Sequence, residues 1–318
     1  MKHHTNNGNT NNGNGNMNDE IKSAKYEVTT QISCGYVTRF ISWNALLKFI
    51  SKRDRNHGAA DESQKTTSPD WYGTRTLSGA TDLAVSGWDK GLEKIKAFAE
   101  QIADQVEQAV DTRRRIKIES SFVGGAVNVG RFVQGQPKHM IGIRTEKLQG
   151  DKERAVRIGV QCWNACGSNA DAIMRRGSAC AALIDELETM GFRCELDAVY
   201  HCNTANGSDS LIVNLKRSEE PVSLAKLAFA LAHPSSFRRI CFATYERYSD
   251  KAHSETITQG AYGQNKSKFS RQIADDYDVC VDATTYNVDT FGSDKNATNW
   301  IVEQIKKINA SFADDAND

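Results

Sequence analysis

Between Val156 and Lys216 the hydrophobic pattern changes period several times. An apolar run, Val156–Trp163, stops at the polar turn Asn164-Ala165-Cys166-Gly167-Ser168. Ala170 to Met190 repeats apolar residues at helical spacing, and Gly191 ends it. Two β-rich runs follow, Arg193–Cys202 and Leu211–Lys216, joined by a turn over 203–209. Strand, helix, strand, turn, strand predicts the opening of an open α/β sheet. Ligand sites in such sheets lie beyond the carboxyl ends of the strands, which puts residues 164–168 where a site would be.

The same reading extends outward. Residues 26–40 are β-rich, and Ser42 is placed to cap a helix whose apolar face holds Leu46, Leu47 and Ile50. Residues 53–70 are charged and turn-forming and predict a surface loop. A short helix over 78–86 precedes an amphipathic one over about 89–111, carrying Leu92, Ile95, Phe98, Ile102, Val106 and Val110. Ile116–Phe122 predicts a strand, a run of turn residues fills 124–140, and 148–154 predicts a linker. In the second half, Leu224–Ala232 predicts a helix broken by His233-Pro234. Arg239–Tyr245 predicts a strand, 249–271 a polar loop, and Tyr277–Ala283 a strand. Asn296 or Thr298 is expected to cap a final helix, Trp300–Ile308.

The fold class expected is therefore α/β: an open, mostly parallel sheet with helices on both faces over 151–318, preceded by a smaller α+β region over 21–150. Residues 1–20, rich in Asn and Gly, hold too little apolar surface to offset ordering entropy and predict a disordered leader. The chain ends in a short acidic tail with Asp314, Asp315 and Asp318.

Composition narrows the function classes. Of 318 residues, 40 are basic and 40 acidic, so no overall basic excess marks a non-specific duplex binder. No apolar h-region opens the chain and no apolar run of ~18 residues exists, so neither an export signal nor a membrane span is expected. The eight cysteines fall mostly within apolar runs, as reduced buried thiols in a cytoplasmic protein do. Cys162-x3-Cys166 and His201-Cys202 offer soft metal ligands but lack the CxxC knuckles of structural zinc. No P-loop, HExxH, GxGxxG or GxSxG motif is present, and the chain is read as a non-enzyme. The enzymatic alternative rests on Cys166 as a thiol nucleophile at a strand end, with His201 or His233 as base.

The basic residues gather locally: Arg113, Arg114, Arg115 and Lys117; Arg131; Arg175 and Arg176; Arg238 and Arg239; Lys266, Lys268 and Arg271. Tyr36, Phe40, Trp71, Trp88, Phe122 and Phe132 are available to stack on unpaired bases. Together these predict contact with single-stranded nucleic acid.

Two resemblances add expectations. The element order over 154–310 resembles the von Willebrand factor A fold, whose first strand ends in Asp-x-Ser-x-Ser holding a divalent ion. Here Asn164 stands at the carboxylate, Cys166 at the first hydroxyl and Ser168 at the second, while Asp282 resembles the later supporting carboxylate. The resemblance implies a degenerate metal site, because a hard cation such as Mg²⁺ wants charged oxygen ligands. It also implies a surface at the strand ends that takes a partner protein, for example an AAA+ ATPase. A second set of motifs is similar to an uncharacterised family of tailed bacteriophages. It comprises Trp71-x-Gly73-Thr74, Gly87-Trp88-x-x-Gly91, the run Val127 to Met140, and Ala228-Phe-Ala-Leu-Ala-His-Pro-Ser-Ser-Phe-Arg-Arg239. The expectation is a phage-encoded adaptor in the host cytoplasm. It would bind single-stranded DNA or other nucleic acid and recruit a phage polymerase or replication protein, in transcription or replication. The rival is a protein–protein module without nucleic-acid binding.

Overall fold

Alternation of buried and exposed side chains builds the sheets. In this computed structural model the described residues are 27–32, 35–56, 61–97, 100, 116–122, 126–127, 129–145, 155–164, 168, 170–204, 207–221, 223–248, 253–254, 262, 271–283 and 290–315. Their strands, in chain order, are β1 (Glu27–Ile32), β2 (Gly35–Phe40), β3 (Ile116–Ser121), β4 (Ala126–Val127), β5 (Met140–Thr145), β6 (Ala155–Gln161), β7 (Arg193–Thr204), β8 (Gly207–Lys216) and β9 (Val279–Val281). The longer helices are α1 (Trp43–Lys52), α2 (Leu77–Ser86), α3 (Ala170–Thr189) and α4 (Asp294–Asp315).

Six strands form one sheet in the order β1-β2-β8-β7-β6-β9, and three make a second in the order β3-β5-β4. In the large sheet the β2/β8, β6/β7 and β6/β9 neighbours run parallel, while β1/β2 and β7/β8 are antiparallel. An α/β sheet, mostly parallel, is thus what the pattern predicted. The strands β1 and β2 lie N-terminal to the expected boundary at residue 150. They nonetheless join this sheet through β8, and α1 and α2 contribute Leu46, Ile50, Leu77 and Ala80 to the same core as β6 and β7.

The sheet is covered unequally. Val156, Ile158 and Val160 of β6, Leu196, Ala198 and Tyr200 of β7, and Leu211 and Val213 of β8 face the large core. On the opposite face Val199 and Ile212 meet Ile273 of the short helix Arg271–Ala274, with Val37 and Tyr277 at the edge. Gly159 is required there: a Cβ on it would lie 2.7 Å from the Tyr277 ring. α3 ends as the sequence indicates. Gly191 takes φ +95°, and the Phe192 N–H returns to the Leu187 carbonyl, a closure that residues with a Cβ resist.

Local capping confirms α1, whose Ala45 N–H donates to Ser42 Oγ at 3.1 Å. Three expectations are corrected. Arg239–Tyr245 is not a strand. From Leu224 the chain runs through α-helical Leu224–Leu227 and wide π-type turns at Ala228–Ala232 and Ser236–Cys241 into Phe242–Tyr245, nearly all buried. Periodicity cannot separate a buried helix from a buried strand when every position is apolar or pinned. The final helix starts earlier than expected: the Asn296 N–H donates to Ser293 Oγ, so Ser293 caps it. Residues 53–70 are not simply a surface loop, because Ser63 is fully buried against Glu246. The leader 1–20, and residues 98–99 and 101–111 of the expected 89–111 helix, lie outside the described residues; 89–97 are helical.

Cys162, Cys180, Cys194, Cys202 and Cys241 are buried thiols outside any disulfide, as expected, whereas Cys280 is exposed. Among the described residues no helix is long and apolar enough to cross a membrane.

Candidate functional site

Two places gather functional side chains. The first is the carboxyl end of β6 and β7. Because β7 and β8 are antiparallel, Cys202 near the end of β7 pairs with Asp209 near the start of β8, and Tyr36 of β2 pairs with Asp209 in turn. Asn164, Ser168, His201, Asp209 and Ser210 are all buried here. A polar interior of this kind must be internally bonded, and largely it is. The Gln161 amide donates to the His201 carbonyl and accepts the His201 and Trp163 N–H groups. The His201 ring shares a 2.7 Å hydrogen bond with Ser210 Oγ, and burial lowers its pKa. Asp209, fully buried, lies 2.8 Å from His253 Nε2 and accepts from the Tyr245 hydroxyl; burial raises its carboxyl pKa while these partners pull it back. His253 is stacked between Tyr36 and Tyr248, with ring centroids 4.2 and 3.9 Å away.

A cation already occupies the strand end: Arg176, from the second turn of α3. Its Nη1 donates to the Gln161 carbonyl at 2.8 Å and to Asn164 Oδ1 at 2.9 Å. The Asn164 amide in turn donates to the Cys162 carbonyl. Of the expected metal set, Asn164 is therefore committed to a guanidinium, Ser168 is buried with its carbonyl accepting from Arg238, and Asp282 is exposed at the end of β9. Cys166, the fourth ligand and the alternative nucleophile, lies outside the described residues. His233, the other candidate base, is buried and accepts the Ser235 N–H, with burial lowering its pKa to about 4. No group of three or more His, Cys, Asp or Glu side chains suited to a metal exists among the described residues.

The second place is the small sheet. β3 pairs with β5 from Ile116↔Thr145 to Ser121↔Met140, so Lys117 stands opposite Arg144 in the ladder. The connection from β4 to β5 includes the helical turn Val129–Val133 and Gly135 at φ +67°. Phe122, Val129, Phe132 and Val133 are exposed by 64, 68, 59 and 78%. Lys138 Nζ sits 5.5 Å from the Phe122 ring centroid, and Phe132 meets His139 edge to face. Exposed aromatics beside cations are what stacking on unpaired bases needs. Residues 113–145 hold seven basic side chains and one acidic, which leaves 33 basic and 39 acidic for the rest of the chain. A formal charge of zero thus conceals a basic segment on an acidic body.

The predicted nucleic-acid residues divide accordingly. Arg131 is exposed in the helical turn between β4 and β5, and Lys117 lies in β3. Arg113, Arg114, Arg115, Lys266 and Lys268 lie outside the described residues, and only the backbone of Arg271 is described, in a short helix. Arg238 and Arg239 are corrected: they are 2% and 0% exposed. Arg238 donates to the Trp71 and Ser168 carbonyls, and Arg239 to those of Ser63, Thr74 and Arg75, each guanidinium also lying over an aromatic ring, Trp71 or Tyr72. They pin the 61–76 segment to the buried helical run and are unavailable to phosphate. Arg175 is likewise engaged, at 2.6 Å from Asp294. Of the aromatics, Phe40 is core, Trp88 is half-buried against the core, and Trp71 packs against Tyr72 and Phe242. Sequence reasoning missed the pairing of Asp209 with His253, which are 44 positions apart and joined only by the fold.

No curated protein and no solved structure matches the chain. A family model does match residues 24–311, across both sheets, and the chain belongs to that family, described as Domain of unknown function (DUF7192).

Proposed function

We propose that this protein is a non-catalytic adaptor that binds single-stranded nucleic acid through the small sheet β3-β5-β4 and the basic run leading into it. The observation that carries the reading is the exposure of Phe122 and Phe132 beside Arg131 and Lys138, in a segment with seven basic side chains to one acidic. Aromatic faces stack on any base, and cations track the phosphates. The acidic remainder of the chain repels nucleic acid and confines contact to this segment. The phage setting, and a phage polymerase or replication protein as the recruited partner, belong to the same proposal and rest on the sequence motifs.

The test is a pair of variants. Arg113→Glu, Arg114→Glu and Arg115→Glu together should weaken binding to a fluorescent single-stranded oligonucleotide at least tenfold at low salt and flatten the salt dependence. Phe122→Ala with Phe132→Ala should weaken it by about tenfold or more while leaving the salt slope in place. Unchanged affinity in both variants would contradict the assignment.

A protein–protein module is the second reading. The strand order β8-β7-β6-β9, with β8 antiparallel, favours it, because that arrangement supports a von Willebrand factor A-like sheet whose carboxyl end offers a docking face. On that reading Arg176 stands where the family would hold its ion.

A further inference from the structure

We propose that the guanidinium of Arg176 is one half of an oxyanion-binding site at the carboxyl end of β6. The side chain is fully buried. Both hydrogens of its Nη1 are spent, on the Gln161 carbonyl and Asn164 Oδ1. Among the described residues, Nε and Nη2 have no hydrogen-bond partner. These two are the donors on one edge of the planar group, and their parallel N–H bonds form the fork that receives two oxygens of a carboxylate or phosphate. The Nη1 contacts hold the plane rigid, so the fork is pre-organised rather than searching.

Charge accounting leads to the same place. No ion pair reaches Arg176 among the described residues, and a guanidinium buried without a counter-ion is costly. The neighbouring thiols do not supply one, because burial raises Cys162 to about 11 and Cys180 to about 12 and keeps them neutral near pH 7. The position also suits an anion. β6 is flanked by β7 on one side and β9 on the other, so the chain reverses its direction of progress across the sheet here, the usual place for a ligand in an open α/β sheet. The 20-residue helix α3 begins immediately beyond, at Ala170, with its partial positive charge at this end. The ligand class is a small oxyanion presenting two oxygens from one centre. Chloride, a single acceptor centre, fills the fork less well than two oxygens, which each take one donor along its own N–H direction. This site is separate from the small sheet and does not depend on its role.

The test is thermal unfolding of the full chain with inorganic phosphate or acetate, up to about 10 mM, against chloride at matched ionic strength. Samples are equilibrated overnight because the enclosed fork exchanges slowly. Either oxyanion should raise the midpoint saturably, by about 5 °C at a hundred times its Kd. A response to phosphate alone assigns a tetrahedral ligand, and one to acetate alone a carboxylate. Arg176→Lys keeps the charge but loses the fork, and its midpoint should not respond. If that variant fails to fold, Asn164→Asp serves instead. Its carboxylate against Nη1 supplies the missing counter-charge internally, so it should unfold at a higher temperature and lose the response. Equal midpoints in oxyanion and chloride for the wild type, or an undiminished response in either variant, would overturn the proposal.

Discussion

Three buried arginines, Arg176, Arg238 and Arg239, are held by carbonyl and amide oxygens. A guanidinium used in this way is a structural pin, because each hydrogen bond to a charged donor is worth more than a neutral one. Arg239→Met should therefore strand three carbonyls and cost about 3–5 kcal/mol in urea denaturation, with oligonucleotide affinity unchanged. His233 gives a pH prediction. Its folded pKa, about 4, lies below the ordinary 6.5 because burial penalises the charged ring. Between these values the unfolded chain binds the extra proton, so stability present above pH 6.5 is lost as pH falls toward 4, by about 3 kcal/mol. His201 acts in the same direction, whereas the raised carboxyls of Asp209 and Glu246 oppose it. The difference between wild type and His233→Asn, which keeps an acceptor for the Ser235 N–H, isolates the term: chemical denaturation at pH 7 and pH 4 should show the variant losing less. At this scale the sequence reveals residue type but not solvent access. Arg131 and Arg239 look alike in a list of basic clusters, and burial alone makes one a surface cation and the other a pin.

Among the elements, those with an amphipathic period or a cap were legible. Ser42 and Gly191 mark real ends, and β6, β7 and the second half of β8 fall on the runs that predict them, although β8 begins at Gly207, inside the expected turn. The run 227–246 was not, because it is buried all round and carries no polar face to set a period. Its π-type turns widen the helix where α3 crosses it. Gly177 of α3 approaches so closely that a Cβ would lie 2.5 Å from Ala232 Cβ and 2.7 Å from its Cα. Gly177→Ala should accordingly destabilise by about 1–3 kcal/mol from overpacking, although Ala is the better helix former by about 1 kcal/mol. Thermal unfolding reads the sign directly, and a stabilised variant would show that α3 and the buried run do not pack as described.

Over the whole molecule, the expected boundary at residue 150 is crossed by hydrogen bonds from β2 to β8, and the family match over residues 24–311 is continuous across it. That joining was not legible, since strand pairing across some 170 positions leaves no local pattern. The charge asymmetry was written in the sequence all along but disappears in a net value of zero. It becomes meaningful only when the same 33 residues, 113–145, contain the exposed Phe122 and Phe132. The most direct test of single-strand binding is fluorescence anisotropy of the full chain with labelled single-stranded and duplex oligonucleotides at about 50 and 200 mM salt. The single strand should bind more tightly than the duplex and lose roughly 100-fold in affinity across that range, as about five phosphate contacts require. Absence of binding at low salt, or equal affinity for the duplex, would contradict the role assigned to the small sheet.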